Sequence, residues 1–140
     1  MATERSWHMT VPHHAQGTRA ARHRLRAELA ESVPAVLLTD ATTVAAELLG
    51  NAVRHAAPLP GGTVRLSWRL CTDTTSQVVE IRVTDGGAGA TPRIRRVGPD
   101  SADGRGLYLV AALAADWGVA RDGLGQSVWA KLRHPAGCTA

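Results

Sequence analysis

Phenylalanine is absent from these 140 residues, and tyrosine and lysine occur once each, as Tyr108 and Lys131. Four tryptophans are the only other aromatics, so Ala, Val and Leu must build the core. Gly-x-x-x-x-Gly-Lys-Ser/Thr does not occur, which excludes a P-loop. The two cysteines, Cys71 and Cys138, have no partners at metal-binding spacing, so neither a zinc site nor a disulfide framework is expected. No uninterrupted apolar run approaches the roughly 18–20 residues of a membrane span. The stretch Met1–Ser6 lacks an apolar signal core, which makes the cytoplasm the expected location. Net charge is +4, compatible with polyphosphates or acidic partners. The arginines are dispersed and do not alternate with aromatics, so direct nucleic-acid binding is not expected.

Hydrophobic content of 44% and charged content of 20% suit a globular chain, and the length suits one domain over 1–140. Its core is expected over about 7–133, with a tail from 134 to 140. Trp7, Met9 and Val11 alternate with polar residues over Ser6–Val11 and predict a short edge strand ending at Pro12. A helix is predicted over Gly17–Glu31, with Ala21, Leu25 and Leu29 as its apolar stripe and Arg19, Arg22, Arg24 and Arg26 around it. That basic surface fits either plain solvation or an acidic partner. A second helix is predicted from about Leu38 to Ala57, capped by Thr39 or Asp40. Val64, Leu66, Trp68 and Leu70 mark a half-buried strand over Thr63–Cys71. A polar turn at Asp73–Ser76 joins it to a strand over Val78–Thr84. After an Arg- and Gly-containing loop, the spacing predicts a helix over Leu107–Ala115 and strands over Trp117–Ala120 and Ser127–Leu132. The order β-α-α-β-β-loop-α-β-β predicts an α+β two-layer sandwich with a mixed, mainly antiparallel sheet.

Three clusters carry the chemistry. Glu47, Asn51 and His55 follow at i, i+4 and i+8, each step turning by only about 40°, so they form one polar row on the second helix. An amide oxygen can ligate Mg²⁺, and a carboxylate can polarise a nearby water or hydroxyl. A solvated polar face would look the same in isolation. Asp85 ends a strand and is followed by Gly86, Gly87 and Gly89. Glycines let a flat ligand approach the backbone, and the carboxylate can accept from an exocyclic amine; an ordinary Asp-Gly turn is the alternative. Gly104, Arg105 and Gly106 precede Leu107 at a helix start, where backbone N–H groups favour an anion, or where a hinge would sit. Arg93, Arg95, Arg96 and Arg105 lie in or beside the preceding loop and either neutralise phosphates or are simply solvated.

Glu47-x-x-x-Asn51, then Asp85-x-Gly87-x-Gly89, then Gly104-x-Gly106-Leu107, in that order, resembles the N, G1 and G2 boxes of the GHKL ATPase/kinase superfamily. The short chain, with Asp116–Val119 and Gly125–Trp129 near its end, looks most like bacterial anti-sigma-factor serine/threonine kinases and their actinobacterial relatives. The resemblance spans roughly residues 7–133 and implies a Bergerat-type fold binding ATP with Mg²⁺. It also implies roles: Asn51 on Mg²⁺, Glu47 as general base or orienting carboxylate, His55 near the phosphates, and Asp85 on the adenine amine with Ser127 helping through water. Residues 90–103 would form the ATP lid.

The implied activity is phosphorylation of an anti-sigma-factor antagonist on Ser or Thr, with a sigma factor as a second protein partner. A non-catalytic, nucleotide-gated binding module of the same fold is the alternative. Homodimer formation through the first strand is a further expectation.

Overall fold

The computed structural model describes the backbone at residues 2–87, 102–122 and 125–135, and the side chains there except at 102–106 and 122. Eight elements follow in chain order: β1 (Thr3–Pro12), α1 (Ala15–Leu29), α2 (Ala35–His55), β2 (Thr63–Thr72), β3 (Ser76–Asp85), α3 (Ala102–Leu113), β4 (Asp116–Asp122) and β5 (Gly125–Pro135). The strands form one sheet in the order β1-β2-β3-β5-β4, and all four pairings are antiparallel. The α+β two-layer sandwich is thus as expected. The parallel component of the anticipated mixed sheet does not occur among the described strands, because β5 returns beside β3 and hairpins back onto β4.

Alternation sorts the sheet into two faces. Val64, Leu66, Trp68 and Leu70 of β2, Val79, Ile81 and Val83 of β3, and Val128, Ala130 and Leu132 of β5 are buried under the helices. Leu25 and Leu29 of α1, Val44, Leu48 and Leu49 of α2, and Leu107 and Val110 of α3 meet them. Trp68 stacks on Trp7 with ring centroids 5.8 Å apart, joining edge strand β1 to the core. Such a pair contributes about 0.5–1.5 kcal/mol beyond its burial. That offsets part of the roughly 1–3 kcal/mol cost of burying Trp68 Nε1 without a hydrogen-bond partner among the described residues. On the outer face Glu80 is the hub of an ion-pair network with Arg69 at 2.9 Å, Arg82 at 3.8 Å and Lys131 at 3.9 Å.

Helix boundaries moved where capping replaced periodicity as the deciding signal. α2 begins at Ala35 with Pro34 as N-cap, so Thr39 and Asp40 lie inside the helix and do not cap it. Proline's fixed φ suits that junction, which the apolar period starting near Leu38 does not reveal. α1 is capped by His14, whose Nδ1 accepts from Gly17 N–H at 3.1 Å. α3 opens at Ala102, five residues ahead of the apolar period. By length and composition α2 is long and apolar enough to cross a membrane, unlike the sequence expectation, because its leucines, valines and alanines outweigh the interspersed threonines and charged residues in mean hydropathy. Here eight of its residues, from Leu37 to Ala52, are buried in the sandwich.

Candidate functional site

The site lies where the C-terminal end of α2 meets the C-terminal end of β3. Two backbone hydrogen bonds join them: Gly86 N–H donates to Ala57 O at 2.7 Å, and Ala57 N–H donates to Gly87 O at 3.0 Å. These bonds bring the polar row of α2 and the Asp85 turn into one locality, although 30 residues of chain separate them. A Cβ on Gly86 would run into the Pro58 carbonyl, so only glycine permits this approach. Gly87 has φ of 90°, the left-handed region that the turn requires.

Asp85 shares the buried row of Val79, Ile81 and Val83 and ends it at the rim of the core, only 3% exposed. Its Oδ1 accepts from Gly87 N–H at 2.7 Å; its other oxygen has no hydrogen-bond partner among the described residues. Burial pushes this carboxyl above its ordinary range, opposed by the Gly87 hydrogen bond and the charge of His13. One oxygen is therefore committed to shaping the turn, and the other is left to take a donor. That matches the need of an exocyclic amine.

On α2, Glu47 and Asn51 are half-buried one turn apart, and His55 ends the row exposed. Asn51 Oδ1 accepts from Arg54 Nη2 at 3.2 Å, an arginine the motif reasoning did not single out. Glu47 has no hydrogen-bond or ion-pair partner among the described residues. Those residues contain no cluster of three or more His, Cys, Asp or Glu able to hold a metal alone. An amide oxygen beside a single carboxylate still fits Mg²⁺, which keeps several waters and takes much of its coordination from substrate phosphates.

The glycine motif at the third helix is placed differently from expectation. Gly104, Arg105 and Gly106 lie within α3, not before it. Gly104 and Arg105 fall among the first four residues, whose N–H groups lack intrahelical acceptors, whereas Gly106 lies beyond them. Leu107 is buried in the core, which makes it an anchor of α3. Gly89 and the expected lid, residues 90–103, fall outside the described residues except for the start of α3 at 102.

Ser127 sits opposite Thr84 in the β3–β5 register, and their hydroxyls are 2.7 Å apart. By alternation this pair lies on the face away from Asp85. The residue directly opposite Asp85 is Gln126, buried, whose Oε1 accepts from Arg121 Nε at 3.1 Å. A shift of one position changes the face, and no motif reveals that a buried glutamine holds this place. Gly125 packs so closely on the Asp85 carbonyl that a Cβ there would clash with it.

The family pattern of the histidine kinase-like ATPase domain matches residues 11–132. The chain belongs to this family. No curated protein matches it. Histidine kinase-like ATPase domains of the GHKL type bind ATP, usually with Mg²⁺. In this histidine kinase-like ATPase domain, the matched span contains Glu47, Asn51, His55, Asp85, Gly87, Gly89, Gly104, Gly106, Leu107 and Ser127. The five-stranded antiparallel sheet with helices on one face agrees with that assignment.

Proposed function

We propose that this domain is an ATP-dependent serine/threonine kinase that regulates a sigma factor by phosphorylating a small anti-sigma-factor antagonist. The observation that carries this reading is Glu47, half-buried, without a hydrogen-bond or ion-pair partner among the described residues and one helical turn from Asn51. A serine or threonine hydroxyl is a poor nucleophile until it is oriented and deprotonated, and an uncommitted carboxylate beside the phosphates can do both. Asp85 takes the adenine amine, Asn51 offers its amide oxygen to the metal, and His55 and Arg105 serve as nucleotide-binding residues. Bound Mg²⁺ supplies charge stabilisation to the phosphoryl group in transfer. The protein acts in the cytoplasm on protein partners, without contacting nucleic acid or membrane, and pairs with a second copy through the open edge of β1.

The test is γ-phosphate transfer to the antagonist by the parent chain and by Glu47→Ala. Transfer by the parent that falls at least about 100-fold in the variant, with Mg-ATP affinity kept, supports the kinase. Absence of transfer from a parent that binds Mg-ATP overturns it.

A second reading is favoured by Arg54, which donates to the same Asn51 oxygen that would ligate the metal. In that reading the domain is a nucleotide-gated protein-binding module, and Mg-ATP must displace Arg54 to switch it. Arg54→Ala then tightens Mg-ATP binding; if Arg54 instead serves the phosphates, the variant binds more weakly.

A further inference from the structure

We infer that His13 is a positioning residue for the nucleotide site, bracing the end of α2 and the loop after it so that the Asp85 carboxylate is held in place. This rests on the reading of Asp85 as the group that takes the adenine amine. His13 lies between Pro12 and His14, far in sequence from every glycine box, and nothing in the motif pattern marks it.

Its Nε2 is 2.9 Å from Ala56 O and 3.0 Å from Ala52 O. Both partners are carbonyl oxygens that only accept, so Nε2 carries a proton and donates to the pair. Ala56 is the first residue past α2, with φ of −120° and ψ of 154°, so its carbonyl has left the helical ladder. A donor here also meets the negative end of the helix dipole. The backbone of the same residue holds a second point: His13 N–H donates to Gly62 O at 3.0 Å. His13 therefore clasps both ends of the connection from Ala56 to Gly62, its side chain at one end and its backbone at the other.

That connection carries the site. Ala57, next to the braced Ala56, makes the two backbone bonds to Gly86 and Gly87. Gly87 N–H in turn donates to Asp85 Oδ1. The path from His13 to the carboxylate is thus Ala56, Ala57, Gly86 and Gly87, each link a covalent or hydrogen bond. An adenine-reading carboxylate must be set to within a few tenths of an ångström, and glycines at 86 and 87 cannot hold it by themselves.

The test is amide hydrogen exchange on the nucleotide-free full chain, together with Mg-ATP titration, for the parent, His13→Ala, His13→Leu and His13→Gln. Leucine keeps bulk without a donor; glutamine keeps an N–H donor. The expectation is exchange about tenfold faster at Ala57, Gly86 and Gly87 in the Ala and Leu variants, with Leu66 and Trp68 in β2 unchanged. Mg-ATP affinity falls about tenfold in both, and His13→Gln recovers most of each effect. Unchanged exchange at those three amides, or equal acceleration at Leu66 and Trp68 in both variants, overturns the brace. Local acceleration with glutamine rescue, in a chain whose parent binds no ATP, leaves the brace standing and overturns the nucleotide reading instead.

Discussion

Two aspartates stand at the two ends of β3, each at a turn, and their environments are opposite. Asp73 precedes the strand, and its Oδ1 takes three donors: Thr75 N at 2.7 Å, Thr75 Oγ1 at 2.8 Å and Ser76 N at 2.8 Å. Those bonds, the Thr75 hydroxyl first, hold its carboxyl below the ordinary range. Asp85 ends the strand, is buried, has one hydrogen bond, and is pushed upward by desolvation. Asp73 closes the β2–β3 hairpin and favours the folded chain when ionised. Asp85 ionises only at a desolvation cost, so its charge does not favour the folded chain. Both read as turn aspartates in sequence, and their surroundings separate them.

The sharpest way to break this comparison is Asp85→Asn. Mg-ATP affinity falls by about 100-fold, the loss of a hydrogen bond to a charged group, while the melting temperature at neutral pH does not fall. Calorimetric titration and thermal unfolding measure the two halves; a parallel loss of both would make Asp85 a structural residue like Asp73. Gly125→Ala tests the wall behind Asp85 and is expected to destabilise by about 1–3 kcal/mol in denaturant unfolding, because the new Cβ meets the Asp85 carbonyl. Asp73→Ala is expected to lower the melting temperature by a few degrees and leave Mg-ATP affinity unchanged.

The smallest effect is on pH dependence, and its sign differs between the two residues. Asp73 has a depressed folded pKa, so its contribution is present above the unfolded carboxylate pKa and is lost as pH falls through the folded one. Asp85 has a raised folded pKa, so its ionisation costs stability. That cost is absent below the unfolded pKa and complete above the folded value. The deficit of Asp73→Ala and any gain of Asp85→Asn should therefore both shrink as melting is followed from neutral into acid. A gain for Asp85→Asn that persists in acid would contradict burial as the cause.

Much of the fold was legible in residue order. The two-residue period of Val64 to Leu70 and the apolar stripe of Ala21, Leu25 and Leu29 report burial directly, and each is buried as read. The row Glu47, Asn51 and His55 is legible because a helix turns regularly, and α2 runs unbroken to His55. Helix starts were less legible. Pro34 as N-cap and the extension of α3 back to Ala102 depend on junction geometry ahead of the first apolar anchors, Leu37 and Leu107, and that geometry leaves no periodic trace. Ser127 was singled out by motif, yet strand register gives Gln126 the place opposite Asp85.

By itself, the sequence determined the kinds and order of the elements, the polar row of α2, and the glycines that leave Asp85 approachable. These follow from side-chain chemistry acting within a few residues. Only the tertiary structure decided that β5 lies between β3 and β4, that Asp85 is buried at the core's rim, and that Ala57 binds Gly86 and Gly87. His13 reaching Ala52 and Ala56 was decided there too. The reason is shared: each depends on groups far apart in the chain meeting, mostly at backbone carbonyls and amides, and almost every residue type presents those alike.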